Sequence, residues 1–151
     1  MSRLTPQSVD IAIVGGGMVG ATLAYALKDL PIKVALIEKV PMSMDAHPSF
    51  DARILALSNA SQRIFASLGL WSEFHDVSVV KKIHVSEKGS LGSAVIDSTE
   101  LKLEQLGFVV PARVLGQVLN AQLPSLNLSL LMPASVTNIE TQDSHATLTI
   151  E

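Results

Sequence analysis

Three glycines and one acid carry the chemistry that can be read first. Gly15, Gly17 and Gly20 fit G-x-G-x-x-G, and Glu38 lies 18 residues beyond the last of them. Glycine types at this spacing suit a diphosphate. Gly15 permits a tight turn, Gly17 lets a pyrophosphate approach bare backbone, and Gly20 allows a helix to pack close to a strand. The backbone amides of Met18 and Val19 stand in the same turn. A helix that opens there offers unpaired N–H groups and a positive dipole end to phosphate oxygens. Glu38 sits near the spacing of a carboxylate that accepts from ribose hydroxyls, and an acid there repels a 2′-phosphate. The glycine motif alone permits either FAD or NAD, and a glycine turn without strand, helix and acid around it is often no site at all.

The surrounding elements supply that context. Ile11 to Val14 is a short apolar run, as in a strand buried on both faces. Ala21 to Leu30 reads as a helix with Leu23, Ala24, Leu27 and Leu30 on one apolar face. Lys33 to Ile37 is a second apolar strand, ending at Glu38. Strand, glycine turn, helix, strand and acid together predict a βαβ dinucleotide unit.

Two arginines are the next candidates. Arg53 precedes the extended apolar stretch Ile54 to Leu57. A cation buried there needs a partner, and a planar guanidinium matches a diphosphate. A salt bridge to Asp51, or solvation, fits the same position. Arg113 falls in the first turn of a helix predicted over 112–123, where a positive side chain opposes the helix dipole. An anion shared with the helix end would remove the conflict; an exposed, screened arginine would tolerate it.

The rest of the chain sets these residues in order. Residues 40–50, with Pro41, His47 and Pro48, read as a loop, and a loop histidine without a partner reads as solvated. Ser58 can cap a helix running to Leu68 that buries Ala60, Ile64, Phe65 and Leu68, with Gly69 at its end. Residues 71–76 read as turn or loop. Val77 to Ser86 and Ala94 to Ile96 read as a hairpin that breaks the βαβ rhythm. His75 and His84 lack metal-ligand spacing and read as surface groups. Phe108 to Val110 is a short strand, and Pro111 suits a first helical position. The helix after it carries Val114, Leu115, Val118, Leu119 and Leu123 on its apolar side, and Pro124 ends it. Leu126 to Leu131 reads as a strand parallel to the first. Val136 to Glu140 and Ala146 to Ile150 alternate around a turn at 142–144, and the chain then stops with no polar tail, as expected of a truncated protein.

Composition narrows the function classes. The chain has 151 residues, 48% of them hydrophobic, which argues for a folded core and against disorder. Net charge is −3, so there is no electrostatic case for nucleic acid. There are no cysteines, which excludes disulfides and thiolate metal sites and is compatible with a reducing cytoplasm. No apolar run reaches the roughly 18 residues of a membrane span.

With these residues assembled, the chain resembles the flavoprotein monooxygenases of the p-hydroxybenzoate hydroxylase fold. Within them it is most similar to the FAD-dependent ubiquinone-biosynthesis hydroxylases. The likeness is carried by IVGGGMVGATLA (13–24), the run His47-Pro48-Ser49-Phe50-Asp51-Ala52-Arg53, and IHVSEKG (83–89), and it spans essentially the whole chain. Ala52 stands where many relatives have glycine. The fold class expected is α/β: a Rossmann-like FAD-binding βαβ domain with inserted antiparallel strands, truncated. Residues 1–78 would form the βαβ unit and following helix, 79–110 the start of a substrate-domain sheet, and 111–151 a return to the FAD-binding domain.

The resemblance implies FAD rather than NAD. It sets Gly15, Gly17, Met18, Val19 and Gly20 at the pyrophosphate and Glu38 with Lys39 at the adenosine ribose. It sets Arg53 and Arg113 along the diphosphate and ribitol, and the Val136 backbone against adenine. It implies NAD(P)H as reductant, O2 as co-substrate and a polyprenyl phenol as the ring hydroxylated. Other quinone-pathway proteins, or the surface of the inner membrane, would be contacts of such a cytoplasmic protein, although no amphipathic anchor is visible. Two further motifs of that family, and most of the substrate pocket, lie beyond residue 151, so the chain alone is not expected to turn over. An NAD-binding dehydrogenase, or a nucleotide-binding module without chemistry, is the competing reading. The hairpin at 79–96 speaks against a plain NAD domain. A piece that binds nothing once severed from its other half is the blandest one.

Overall fold

The structure is a computed structural model that describes residues 7–41, 51–89 and 92–151. Of the loop expected at 40–50, residues 42–50, His47 included, lie outside the described residues. In chain order the elements are β1 (Ile11–Val14), α1 (Met18–Ala26), β2 (Val34–Ile37), β3 (Ile54–Ser58), α2 (Asn59–Ser67), β4 (Ser78–Val80), β5 (Lys82–Ser86), β6 (Ser93–Asp97), β7 (Gly107–Pro111), α3 (Ala112–Gln122), β8 (Ser129–Leu131), β9 (Val136–Thr141) and β10 (Ala146–Ile150). The chain divides into two compact units, residues 1–51 with 119–151, and residues 52–118.

The first unit is built on a parallel sheet of order β1-β2-β8. Ile11 pairs with Val34 and Val14 with Ile37, while Ala35 to Ile37 pair with Ser129 to Leu131. β2 is the central strand, and all four of its residues are buried, which is why its sequence is continuously apolar. The strand expected at 126–131 is thus present as β8, shorter and parallel as predicted. β9 and β10 form an antiparallel hairpin in which the Gln142 amide donates to the His145 carbonyl across the turn.

α1 departs from expectation in extent and in face. It starts at Met18 and ends at Ala26, where the Lys28 amide reaches the Tyr25 carbonyl, a tighter bond than the α-helical one. Its buried residues are Ala21, Ala24 and Tyr25, whereas Leu23 and Leu30 are 44% and 51% exposed. The physical reason is proximity. A Cβ on Gly20 would stand 1.9 Å from the Gly15 carbonyl oxygen, so the helix start touches the glycine turn, and the small Ala21 and Ala24 fill the buried side there, with Tyr25 buried further along.

The second unit holds an antiparallel sheet of order β3-β7-β4 and the separate β5-β6 hairpin. The stretch read as one strand from Val77 to Ser86 is two: β4 pairs with β7, and β5 with β6. Ser58 caps α2, its Oγ accepting from the Ser61 amide at 3.1 Å. Of the face expected to be buried on α2, only Phe65 is; Ile64 is 54% exposed. Phe65 meets Phe74 edge-on, and Trp71, in a short 3-10 turn at Trp71–Glu73, meets both Phe74 and Phe108. This aromatic cluster, with ring centroids 4.9–5.6 Å apart, packs α2 onto β7 through Phe65, the one member of the expected face that is buried. Pro111 ends β7 instead of opening α3, a shift of one residue. The first helical amide, Ala112, donates to the Arg53 carbonyl at 2.9 Å. Val114, Leu115, Val118 and Leu119 of α3 are buried, as its sequence pattern requires, and so is Leu123 just beyond its end.

Candidate cofactor site

The glycine turn between β1 and α1 is held from both sides. Gly15 has φ +102°, a conformation open to glycine, and its amide donates to the Ile37 carbonyl at 2.8 Å. Gly17 is the N-cap of α1; no side chain caps that end, and no acid stands in its first turn. The opening turn therefore presents its backbone donors without a protein side chain on them, and Val19 within it is 84% exposed. That is the arrangement a phosphate needs at a helix start.

Glu38 is buried, 8% exposed, at the end of the central strand. Its backbone is pinned on both sides: its amide donates to the Leu131 carbonyl and its carbonyl accepts from the Ala134 amide. The side chain turns toward the glycine turn. One carboxylate oxygen accepts from the Gly16 amide at 2.6 Å and the other from the Val40 amide at 2.7 Å. Lys39 next to it is exposed. Val136 begins β9 two residues after Ala134 and is half-buried. The first unit thus brings together the glycines, Glu38 and the segment leading to Val136, residues spread over about 120 positions of sequence.

The two arginines belong to the second unit. Arg53 is exposed, and its carbonyl anchors the start of α3. Arg113 is paired with Asp76, Nη2 to Oδ2 at 3.2 Å, with both side chains about half exposed. Asp76 takes up φ +57° to reach that position. The unfavourable charge at the helix start is thus countered by a carboxylate 37 residues away, a partner with no signature in local sequence. Gly16 occupies a variable position of the motif, yet it is packed against the acid. A Cβ there would come within 3.0 Å of Glu38 Cβ. The run of three glycines was the signal available. His75 and His84 are exposed, as expected.

A parallel βαβ unit, an uncapped glycine-led helix and a buried acid at the end of the second strand define a dinucleotide-binding protein. The comparisons make the class specific. The family described as FAD binding domain matches residues 8–150, and the chain belongs to it. The site residues fit that cofactor, with bare amides for a diphosphate and an acid beside them for a sugar, and FAD is the dinucleotide. The chain is 37% identical over 121 residues to 3-demethoxyubiquinol 3-hydroxylase of Escherichia coli K12, covering 77% of this chain and 30% of that protein. It is 32% identical over 130 residues to ubiquinone hydroxylase UbiL of Rhodospirillum rubrum, covering 85% and 30%. The fold is shared with OxyS anhydrotetracycline hydroxylase from Streptomyces rimosus, with a TM-score of 0.71 at 19% identity over 94% of this chain and 28% of that one. The chain spans about 30% of the length of these two curated relatives.

Proposed function

We propose that this chain is the FAD-holding part of an aromatic-ring monooxygenase of ubiquinone biosynthesis, acting on a polyprenyl phenol with O2 and NAD(P)H. The observation that carries the reading is the similarity to two ubiquinone-pathway hydroxylases over 121 and 130 residues, stretches far longer than a glycine motif alone. An NAD-binding dehydrogenase is disfavoured because the family match over 8–150 is to an FAD-binding domain.

The flavin supplies the redox and oxygen chemistry; the protein supplies binding, orientation and exclusion of water. In this reading Gly15, Gly17, Met18, Val19 and Gly20 receive the diphosphate. Glu38, flanked by Lys39, accepts from the adenosine ribose, and the Val136 backbone meets adenine. Arg53 and Arg113 lie along the diphosphate and ribitol, with Arg113 leaving Asp76 or sharing its charge. Within residues 79–110, the β5-β6 hairpin begins the sheet that receives the phenol. An isoprenoid substrate calls for contact with a membrane surface; among the described residues no helix is long and apolar enough to cross a membrane.

The test is direct. Purified protein should carry or take up FAD with a flavin absorption spectrum, and a strain deprived of the protein should accumulate an under-hydroxylated quinone precursor. A colourless protein indifferent to added FAD would defeat the cofactor assignment. Normal quinone in the deprived strain would defeat the pathway.

A further inference from the structure

We propose that the Glu38 carboxylate is a strut that sets the shape of the phosphate-binding turn before any ligand arrives, in addition to any contact with a sugar. Nothing about an acid at this spacing requires that. A carboxylate whose only task is to accept from ribose hydroxyls needs no backbone amide of the glycine turn. Here it is buried, and its two oxygens take two backbone amides.

The Gly16 contact does the shaping. Gly16 is the centre of the turn, 22 residues from Glu38 in sequence. On one side of it Gly15 is tied to the carbonyl of Ile37, the residue before Glu38. The Glu38 side chain adds a second tie, 2.6 Å long, from the same strand end to the next residue of the turn. A hydrogen bond to an ionised acceptor is shorter and about twice as strong as a neutral one. Two successive amides of the turn thus point back at the end of β2, and the amides that follow, from Gly17 onward, are left to α1 and its ligand. A Cβ at Gly16 would stand 3.0 Å from Glu38 Cβ, 3.2 Å from its Cγ and 3.3 Å from Met132 Cε, so those side chains would have to give by a few tenths of an ångström. The Val40 amide on the other oxygen fixes the rotamer. The carboxylate accepts up to about four hydrogen bonds, so support of the turn and contact with a sugar are compatible, and the two become energetically coupled.

The geometric claim stands without a cofactor; its consequence for affinity rests on the flavin reading. The experiment reads the Gly16 amide by NMR in flavin-free protein. Its proton should resonate well downfield and exchange slowly. In Glu38→Gln, which keeps the side-chain volume, and in Glu38→Ala, exchange at Gly16 should speed up about tenfold or more while the amides of β9 and β10 stay protected. An unprotected Gly16 amide with an ordinary shift would overturn the proposal. So would exchange unchanged by Glu38→Gln. Wild-type protein that binds no FAD would sink the cofactor reading alone, since the exchange measurement needs no ligand.

Discussion

At the scale of single residues, Gly20 and Arg113 show how differently two motif positions behave. Gly20 has no room for a side chain, because its Cβ would lie 1.9 Å from the Gly15 carbonyl oxygen. Gly20→Ala must therefore push α1 off β1 or distort the turn. The expected cost is at the upper end of overpacking, about 3 kcal/mol, read as a lower urea midpoint with flavin affinity lost in parallel. Arg113 is the opposite case. Its pair with Asp76 is half exposed on both sides, and exposed pairs contribute less than about 1 kcal/mol. Arg113→Ala should leave unfolding almost unchanged, so a drop of tenfold or more in FAD affinity in that variant would mark a ligand contact. Unaltered affinity would assign Arg113 to the Asp76 pair alone.

At the scale of elements, the β5-β6 hairpin is an unusual insertion, exposed along most of its length and pinned at its open end by Lys82 and Asp97, 2.8 Å apart. The bond from Lys82, helped by the Thr99 amide, holds the Asp97 carboxyl below its ordinary value. The same bond raises Lys82 above its ordinary value. The signs set a window. Asp97 contributes stability above the unfolded carboxyl value of about 3.8 and loses it as pH falls through its lower folded value. Lys82 contributes below about 10.5 and loses it as pH rises through its higher folded value. The hairpin should hold across neutral pH and loosen only at the extremes. Lys82→Met should return the Asp97 titration, followed by carboxyl NMR, toward the ordinary value. A titration that does not move would show that the Thr99 amide, not the ion pair, sets it.

At the scale of the whole molecule there are two compact units, residues 1–51 with 119–151 and residues 52–118. One carries the glycine turn and Glu38; the other carries both arginines. A ligand that binds only folded protein stabilises it by mass action, about 2.7 kcal/mol at a hundredfold excess over Kd. FAD should therefore raise the melting temperature in a concentration-dependent way, and NAD at the same excess should not. Equal shifts from both nucleotides would count against flavin selectivity.

Much of this molecule was legible locally. The glycine spacing, the four-residue apolar run of β2, the Ser58 cap, the turn after Thr141 and the apolar side of α3 each depend on a few neighbouring residues and on rules of backbone geometry, and the sequence alone determined them. What only the tertiary structure decided are contacts between residues far apart in the chain. The buried face of α1 shrank to Ala21, Ala24 and Tyr25 because Gly20 brings the helix against the turn. Arg113 found Asp76 across 37 residues, and Gly16 found Glu38 across 22. Periodicity can say that a helix has an apolar side and that an acid ends a strand. Which small side chain fits beneath the helix, and which amide the acid holds, follow from how closely the folded backbone packs.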